Sequence, residues 1–283
     1  MELPWQMIAC DLDGTLIGRD GRPNARDLAA LHRARAEGVY ITICTGRNFT
    51  ESRRVMEALG LEGPGVFVNG AAVCTMPTGR PLKRHVLDDA LIDLSLEVFG
   101  GMGLAVLLLS EDLATGLPHY YHTDHGPEHP GTTAWLTHNA MPSEPWPGGP
   151  AGARPAVLRV GVVVDSPREP ELMRLVGDRF GARVAHHGLH SPAYDCHVVE
   201  LFGPDVSKWS GLEEVARLRG IDPARVVAIG DDSNDISMLK GAALSFAMGT
   251  AHPAVARHAK RITASQAECG VAQVVDGMFE GRW

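Results

Sequence analysis

Nothing in the 283-residue sequence approaches the ~20 consecutive apolar residues that a membrane-spanning helix needs, so no membrane partner is expected. The opening Met1-Glu2-Leu3-Pro4 has no basic segment leading into an apolar one, and the expectation is a soluble, cytoplasmic protein. Cysteine is sparse and scattered, at positions 10, 44, 74, 196 and 269, with an odd total and no C-x-x-C pair. That excludes a disulfide framework and reads as reduced thiols, mostly in the core. An excess of basic charge is also missing: 26 Lys and Arg stand against 34 Asp and Glu, a formal net charge of −8, which gives no electrostatic footprint for nucleic acid. Neither repeats nor low-complexity tracts are present. What remains, 45% hydrophobic and 21% charged residues, describes a globular protein long enough for two ordinary domains.

The most informative stretch is Met7-Ile8-Ala9-Cys10-Asp11-Leu12-Asp13-Gly14-Thr15-Leu16, a short apolar run that ends abruptly in two carboxylates. The run reads as a buried parallel strand, and the acids fall beyond its carboxyl end, where open α/β sheets place their ligands. Asp11 and Asp13, two residues apart, leave the strand end on the same side. Their repulsion is relieved by a hard divalent cation such as Mg²⁺, by a division of labour between nucleophile and proton carrier, or by both. An ordinary Asp-Gly turn is the bland alternative.

Further along, Pro23-Asn24 opens a helical pattern through Leu28, Leu31 and Ala34 that stops at Gly38. Val39 to Cys44 is a second strand delivering Thr45-Gly46-Arg47, a hydroxyl, a permissive glycine and a guanidinium able to grip phosphate or substrate. A helix to Gly60 and a third strand, Val66 to Val68, bring the chain to Asn69-Gly70-Ala71. Asn69 reads either as a turn residue tolerating a left-handed conformation or as an amide contacting substrate. Three β-then-α units predict a doubly wound parallel sheet.

Over roughly 82–201 the pattern changes. Strands are predicted at Arg84–Leu87, Leu104–Leu109, Tyr120–Thr123, Val157–Val164, near Arg183–His186 and at His197–Leu201, with helices at Asp88–Phe99 and Arg168–Phe180. A Pro/Gly-rich connection spans 141–152. Grouped strands imply an antiparallel or mixed sheet, hence a second domain inserted into the first. The α/β pattern resumes with Ser207 capping a helix to Arg219 and Gly220. Lys208, in its first turn, opposes the helix dipole unless it serves an anion. A strand at Val226–Ile229 then ends in a second acidic cluster, Gly230-Asp231-Asp232-Ser233-Asn234-Asp235. After it come a short helix around Met238, a strand at Leu244–Ala247, a helix after His252-Pro253, a short strand at Arg261–Thr263 and a final helix from Gly270 to Phe279.

Asp11-x-Asp13-Gly-Thr, Thr45-Gly-Arg47, Lys208 and Gly230-Asp231-x-x-Asn234-Asp235, in that order, resemble the four signature motifs of the haloacid dehalogenase superfamily, and the resemblance covers essentially the whole chain. Asn69-Gly70-Ala71, Ser207-Lys208 and Gly230-Asp-Asp-Ser-Asn-Asp resemble its Cof-type sugar-phosphatase branch. The resemblance implies a Rossmann-like α/β core, 1–81 and 202–283, with an inserted α+β cap, 82–201, that selects substrate. It also implies an Mg²⁺-dependent phosphatase acting on a small phosphorylated metabolite, as monomer or homodimer. Asp11 would attack phosphorus to form an aspartyl-phosphate, and Asp13 would protonate the leaving alcohol and then activate water. Mg²⁺ would be held by Asp11, the Asp13 backbone carbonyl and Asp231. Thr45 and Lys208 would bind the phosphoryl group with Gly46, Arg47, Asn69 and Asn234 contributing, and Asp235 would touch the metal or orient Lys208. Asp232 is left as a solvated neighbour. An acid at position 13 favours phosphate esters over carbon–halogen or carbon–phosphorus bonds. A phosphomannomutase-like mutase and a low-turnover phospho-ligand sensor are the alternatives.

The cap is harder to read. His119, His122, His125 and His129, and again His186, His187 and His190, suggest either a second metal site or polar loop residues; only His122 and His186 fall in predicted strands, and the rest are read as loop. Trp135 and Trp146 either stack on a sugar or anchor a long loop.

Overall fold

The computed structural model describes residues 4–112, 117–141, 143–150, 153–191 and 193–283. The chain forms two compact units, Met1–Lys83 with Ser207–Trp283, and Arg84–Val206. The first unit opens with β1 (Met7–Cys10), α1 (Ala25–Ala36), β2 (Tyr40–Ile43), α2 (Phe49–Leu59), β3 (Gly63–Phe67), β4 (Ala72–Met76) and β5 (Pro81–Arg84). The second contains α3 (Asp89–Gly101), β6 (Val106–Glu111), β7 (Pro118–His122), α4 (Pro130–His138), β8 (Ser143–Pro145), β9 (Val157–Val164), α5 (Glu169–Phe180), β10 (Ala185–Ser191) and β11 (Cys196–Phe202). The chain returns to the first unit with α6 (Lys208–Arg219), β12 (Val226–Gly230), α7 (Ile236–Gly241), β13 (Leu244–Ala247), α8 (Pro253–Ala256), β14 (Arg261–Ile262) and α9 (Gly270–Phe279). No described helix is long and apolar enough to cross a membrane.

The first unit is built on a five-stranded sheet of order β14-β13-β12-β1-β2 in which every pair is parallel. β1 is an inner strand, with Met7 opposite both Val226 and Tyr40, and its four residues are all buried. Burial on both faces is why Met7 to Cys10 is uniformly apolar rather than alternating. Helix ends follow local chemistry. Asn48 and Glu51 form a capping box on α2, Ser207 and Ser210 one on α6, and Gly60 and Gly220 take left-handed conformations to end the same two helices. α9 has no capping side chain of its own, because Cys269 at its start is left-handed. Buried Asp27, on α1, replaces it by accepting a hydrogen bond from the Ala272 amide at 2.8 Å.

The third strand departs from expectation. β3 touches the parallel sheet through one bridge, Cys44 to Val66, and pairs antiparallel with β4 in a separate sheet of order β3-β4-β5. The cause is local: Val68, Asn69 and Gly70 all have positive φ (50°, 55° and 101°), so the chain folds back as a hairpin where a third βα unit was predicted.

The second unit is a six-stranded sheet of order β10-β11-β9-β6-β7-β8. Its pairs are antiparallel except β7 with β8. Leu108, Val160, Val162 and Val199 meet Phe99 of α3 and Leu172 and Val176 of α5 in one core. Alternate residues face the other side, where Arg159 pairs with Glu200 at 2.6 Å and Arg84 with Glu111 at 2.8 Å.

Three expectations for this unit are corrected. The strand predicted at Arg84–Leu87 lies earlier, at β5; Leu87 instead anchors in the core and Asp88 caps α3. The histidines read as loop have structure beneath them: His119 joins His122 on β7, His187 and His190 follow His186 along β10, and His129 caps α4. α4 itself was missed because only Gly131, Thr132 and Leu136 are buried along it, too few apolar residues to show a helical period. Trp135 packs edge-on against Tyr120, and Trp146 against Tyr121. Of the predicted connection over 141–152, residues 142, 151 and 152 lie outside the described residues, and β8 occupies part of the rest.

Candidate active site

The loops after β1, β2 and β12, three adjacent strands, carry the candidate residues at the carboxyl edge of the parallel sheet, where the direction of strand crossover reverses. Asp11 directly follows β1 and Asp231 directly follows β12. Two glycines permit their approach. A Cβ on Gly14, whose φ is +79°, would fall 2.2 Å from Asp231 Oδ2, and one on Gly230 would fall 2.5 Å from Asp235 Cγ. Neither position has room for a side chain.

Lys208 is the hub. It is 0% exposed, and its Nζ donates to Asp11 Oδ1 and to Asp235 Oδ1, each at 2.6 Å. The helix start that opposes a lysine is thus answered by two carboxylates. Burial works against the lysine's charge, but Asp11 and Asp235 outweigh it and hold its pKa above the ordinary value. The other oxygen of Asp235 accepts the amides of Asp231 and Asp232 at 2.8 and 3.0 Å. Both oxygens of Asp235 are therefore engaged in fixing Lys208 and the Asp231 loop. Asp232 is exposed and caps the following turn through the Ser233 amide.

Asp11, Asp231 and Asp235 each bring one oxygen into a group whose atoms lie within 4.8 Å of one another. Burial raises the Asp11 carboxyl well above the usual range, against the pull of Lys208. Burial first, and then the neighbouring Asp235, push Asp231 up to about 7. Three carboxylates around one ammonium leave a surplus of two negative charges, and the donors are all oxygen, so a hard divalent cation fits the site in both charge and ligand type. Thr15, to which the sequence assigned no role of its own, donates from Oγ1 to Asp231 Oδ1 at 3.0 Å and so aims that carboxylate.

The remaining candidates form an adjoining wall. Thr45 is buried, and its Oγ1 accepts the Arg47 amide at 3.1 Å. Asn69 takes the left-handed conformation expected of a turn residue, and its Oδ1 accepts from Asn234 Nδ2 at 3.0 Å. A Cβ on Gly46 would lie 3.2 Å from Asn69 Oδ1, which places the Thr45-Gly46-Arg47 backbone against that pair. A Cβ on Gly70 would fall 2.0 Å from the Ser207 carbonyl, so the Asn69 turn and the start of α6 are in backbone contact. Asp13 stands apart from the three clustered acids, its carboxylate more than half exposed and paired with Arg47.

A parallel α/β sheet thus carries a lysine-centred carboxylate cluster at its carboxyl edge, with a further acid two residues beyond the first. The chain belongs to the haloacid dehalogenase-like hydrolase family, whose sequence pattern matches residues 8–145 and 157–275. It is similar to the 5-amino-6-(5-phospho-D-ribitylamino)uracil phosphatase YitU of Bacillus subtilis (strain 168), at 26% identity over 99% of both chains. It is also similar to the pyridoxal phosphate phosphatase YbhA of Escherichia coli (strain K12), at 27% identity over 95% of this chain and 97% of the other. Among solved structures, a HAD subclass IIB sugar phosphatase superposes with a TM-score of 0.79 at 20% identity, covering 97% of this chain and 99% of that one. This likeness is one of fold: a Rossmann-like core with a cap.

Proposed function

We propose that the chain is an Mg²⁺-dependent phosphatase that hydrolyses small phosphomonoesters through an aspartyl-phosphate on Asp11. The observation carrying this reading is the set of three carboxylates around one buried ammonium, with Asp13 exposed two residues from Asp11. Asp11 forms a bond to phosphorus as the ester P–O bond breaks. The electron pair goes to the leaving oxygen, which takes a proton from Asp13. Asp13 then removes a proton from water, whose oxygen attacks phosphorus and releases inorganic phosphate and free Asp11. Lys208 keeps one Asp11 oxygen in place and offers positive charge to the phosphoryl group. Thr45, Gly46, Arg47, Asn69 and Asn234 line the phosphate and substrate pocket. Asp11, Asp231 and the Asp13 carbonyl would hold the ion, with Asp235 acting as a positioning residue, because both its oxygens are taken. Bound there, Mg²⁺ would neutralise charge so that a carboxylate can approach a phosphate dianion.

The unit Arg84–Val206 is proposed to select the leaving group. Relatives named for two unlike phosphorylated compounds support a small phosphorylated metabolite as the substrate class. Five free thiols support a cytoplasmic enzyme, and a monomer or homodimer is consistent with the reading.

The test is phosphate release from sugar phosphates, pyridoxal phosphate, nucleotides and p-nitrophenyl phosphate, with and without Mg²⁺. Release should need the metal and vanish in Asp11→Asn. Mg²⁺ should also raise the melting temperature of the wild type and not of Asp231→Asn, a readout independent of turnover. A folded protein that releases nothing would overturn the phosphatase, and a bisphosphate-primed isomerisation assay would then separate a mutase from a sensor.

A further inference from the structure

Arg47 was read as a grip for phosphate or substrate, yet its fork is already in use. Nε donates to Asp13 Oδ2 at 2.7 Å, Nη2 donates to Asp13 Oδ1 at 2.5 Å, and Nη1 reaches the Glu51 carbonyl at 3.4 Å. Both oxygens of Asp13 are occupied. Held in that fork, the carboxylate is oriented by the guanidinium, whereas the proposed function asks it to face a leaving oxygen and then a water.

The first unit thus holds two cation–carboxylate pairings at its candidate site, and their environments differ. Lys208 is 0% exposed between Asp11 and Asp235, whereas the Asp13 and Arg47 side chains are 59% and 32% exposed. Parting the buried pairs leaves charges that no solvent reaches, whereas water can take up the charges of the exposed pair as they part. The exposed pair is the one a ligand can open. A phosphate offers a guanidinium the same bidentate geometry as a carboxylate and carries more charge. The backbone of Arg47 provides a fixed pivot, since its amide donates to Thr45 Oγ1 and its carbonyl accepts the Val68 amide at 3.0 Å. Only the side chain has to move.

We propose that Arg47 exchanges partners during turnover: the phosphorylated substrate takes its guanidinium from Asp13, and that release frees Asp13 to face the leaving oxygen. The exchange rests on the phosphatase reading. It breaks two hydrogen bonds to a carboxylate and makes equivalent ones to a phosphoryl oxyanion, with no covalent change. Arg47 thereby links substrate recognition to the freeing of Asp13, so that an unliganded site keeps that residue clamped.

Crystal structures of the full chain with Mg²⁺, with and without orthovanadate, test this directly. The exchange requires the Arg47 fork on the oxyanion and both Asp13 oxygens beyond hydrogen-bond reach of Nε and Nη2. An oxyanion bound beside Asp11 with the pair intact overturns it. Kinetics give a second reading, taken with p-nitrophenyl phosphate and with the sugar phosphate turned over fastest. A charge-assisted contact to substrate predicts that Arg47→Ala raises KM at least about tenfold on both, leaves kcat within about threefold, and is partly rescued in Arg47→Lys. A fixed clamp that only aims Asp13 would instead lower kcat on the sugar phosphate alone, with KM unchanged. Absence of Mg²⁺-dependent turnover in the wild type would overturn the phosphatase reading itself, whereas turnover with a closed pair overturns only the exchange.

Discussion

In the first unit Asp11, Asp231 and Asp235 gather around a single ammonium, Lys208, whereas in the second each of two buried acids has a guanidinium beside it, Glu200 with Arg159 and Glu111 with Arg84. Both arrangements bury charge, but only one balances it. Paired burial ties strands together and asks for nothing further. Burial raises the carboxyl pKa in both units, at Asp11 and Asp231 and also at Glu111, but only the surplus leaves a deficit that a divalent cation can fill. Clustered carboxylates whose charge one cation fails to cancel mark the proposed chemistry, and one-to-one pairs mark structure.

The largest effect is expected at the hub. Lys208→Met leaves Asp11 and Asp235 facing each other without a cation, which should lower stability by about 3–5 kcal/mol in urea unfolding and reduce phosphate release roughly a thousandfold. Mg²⁺ should return part of the lost stability. In the second unit, Arg159→Ala takes the guanidinium from Glu200, which is 5% exposed, and should cost about 3 kcal/mol, while the double replacement Arg159→Met with Glu200→Leu should lie near wild type. A single variant costing under about 1 kcal/mol would break the contrast between the units.

The smallest effect is at Asp27. Its burial raises its pKa, although the Ala272 amide opposes the rise. Between the ordinary carboxylate value and the raised one, the folded chain keeps a proton that the unfolded chain releases, so this group's contribution to stability falls as pH rises through that window. Asp27→Asn keeps the acceptor for the α9 amide and removes the slope. The variant's stability relative to wild type should therefore grow with pH, by at most about 1.4 kcal/mol per pH unit, when the two are unfolded in urea from pH 4 to 7.

What could be read from the sequence was whatever sits at a strand end or helix start. Asp11, Thr45, Lys208 and Asp231 announced themselves because a local pattern of apolar strand, turn residue and cap places each at the sheet edge. Ser207 and Gly220 bounded α6 as expected for the same reason. Pairings across the chain left no local mark. Arg47 meets Asp13 across 34 positions, Thr15 meets Asp231 across 216, and Asp27 caps a helix 245 positions away. The Asn69 hairpin lay between these cases. Asn-Gly signalled a turn, but not that the strand after it would pair backwards and leave the parallel sheet. In the second unit the strand expected near Arg183–His186 runs on to Ser191, an extent that was not legible because the side chains of β10 are only half-buried and lack the alternation that reveals a strand.

β1 has its two partners at very different distances along the chain. β2 follows it within a few dozen residues, while β12 begins at Val226, after the whole second unit. At a synthesis rate of about 5–20 residues per second, β1 waits on the order of 10–40 s for β12 to leave the ribosome. Until then the apolar edge of Met7 to Cys10 stands open, and Asp11 has neither Lys208 nor Asp231 beside it. Residues 84–206, contiguous and with a core of their own, face no such delay. The nascent chain is therefore without its proposed chemistry through most of its synthesis, and it is most exposed to mispairing on the strand that later positions its nucleophile.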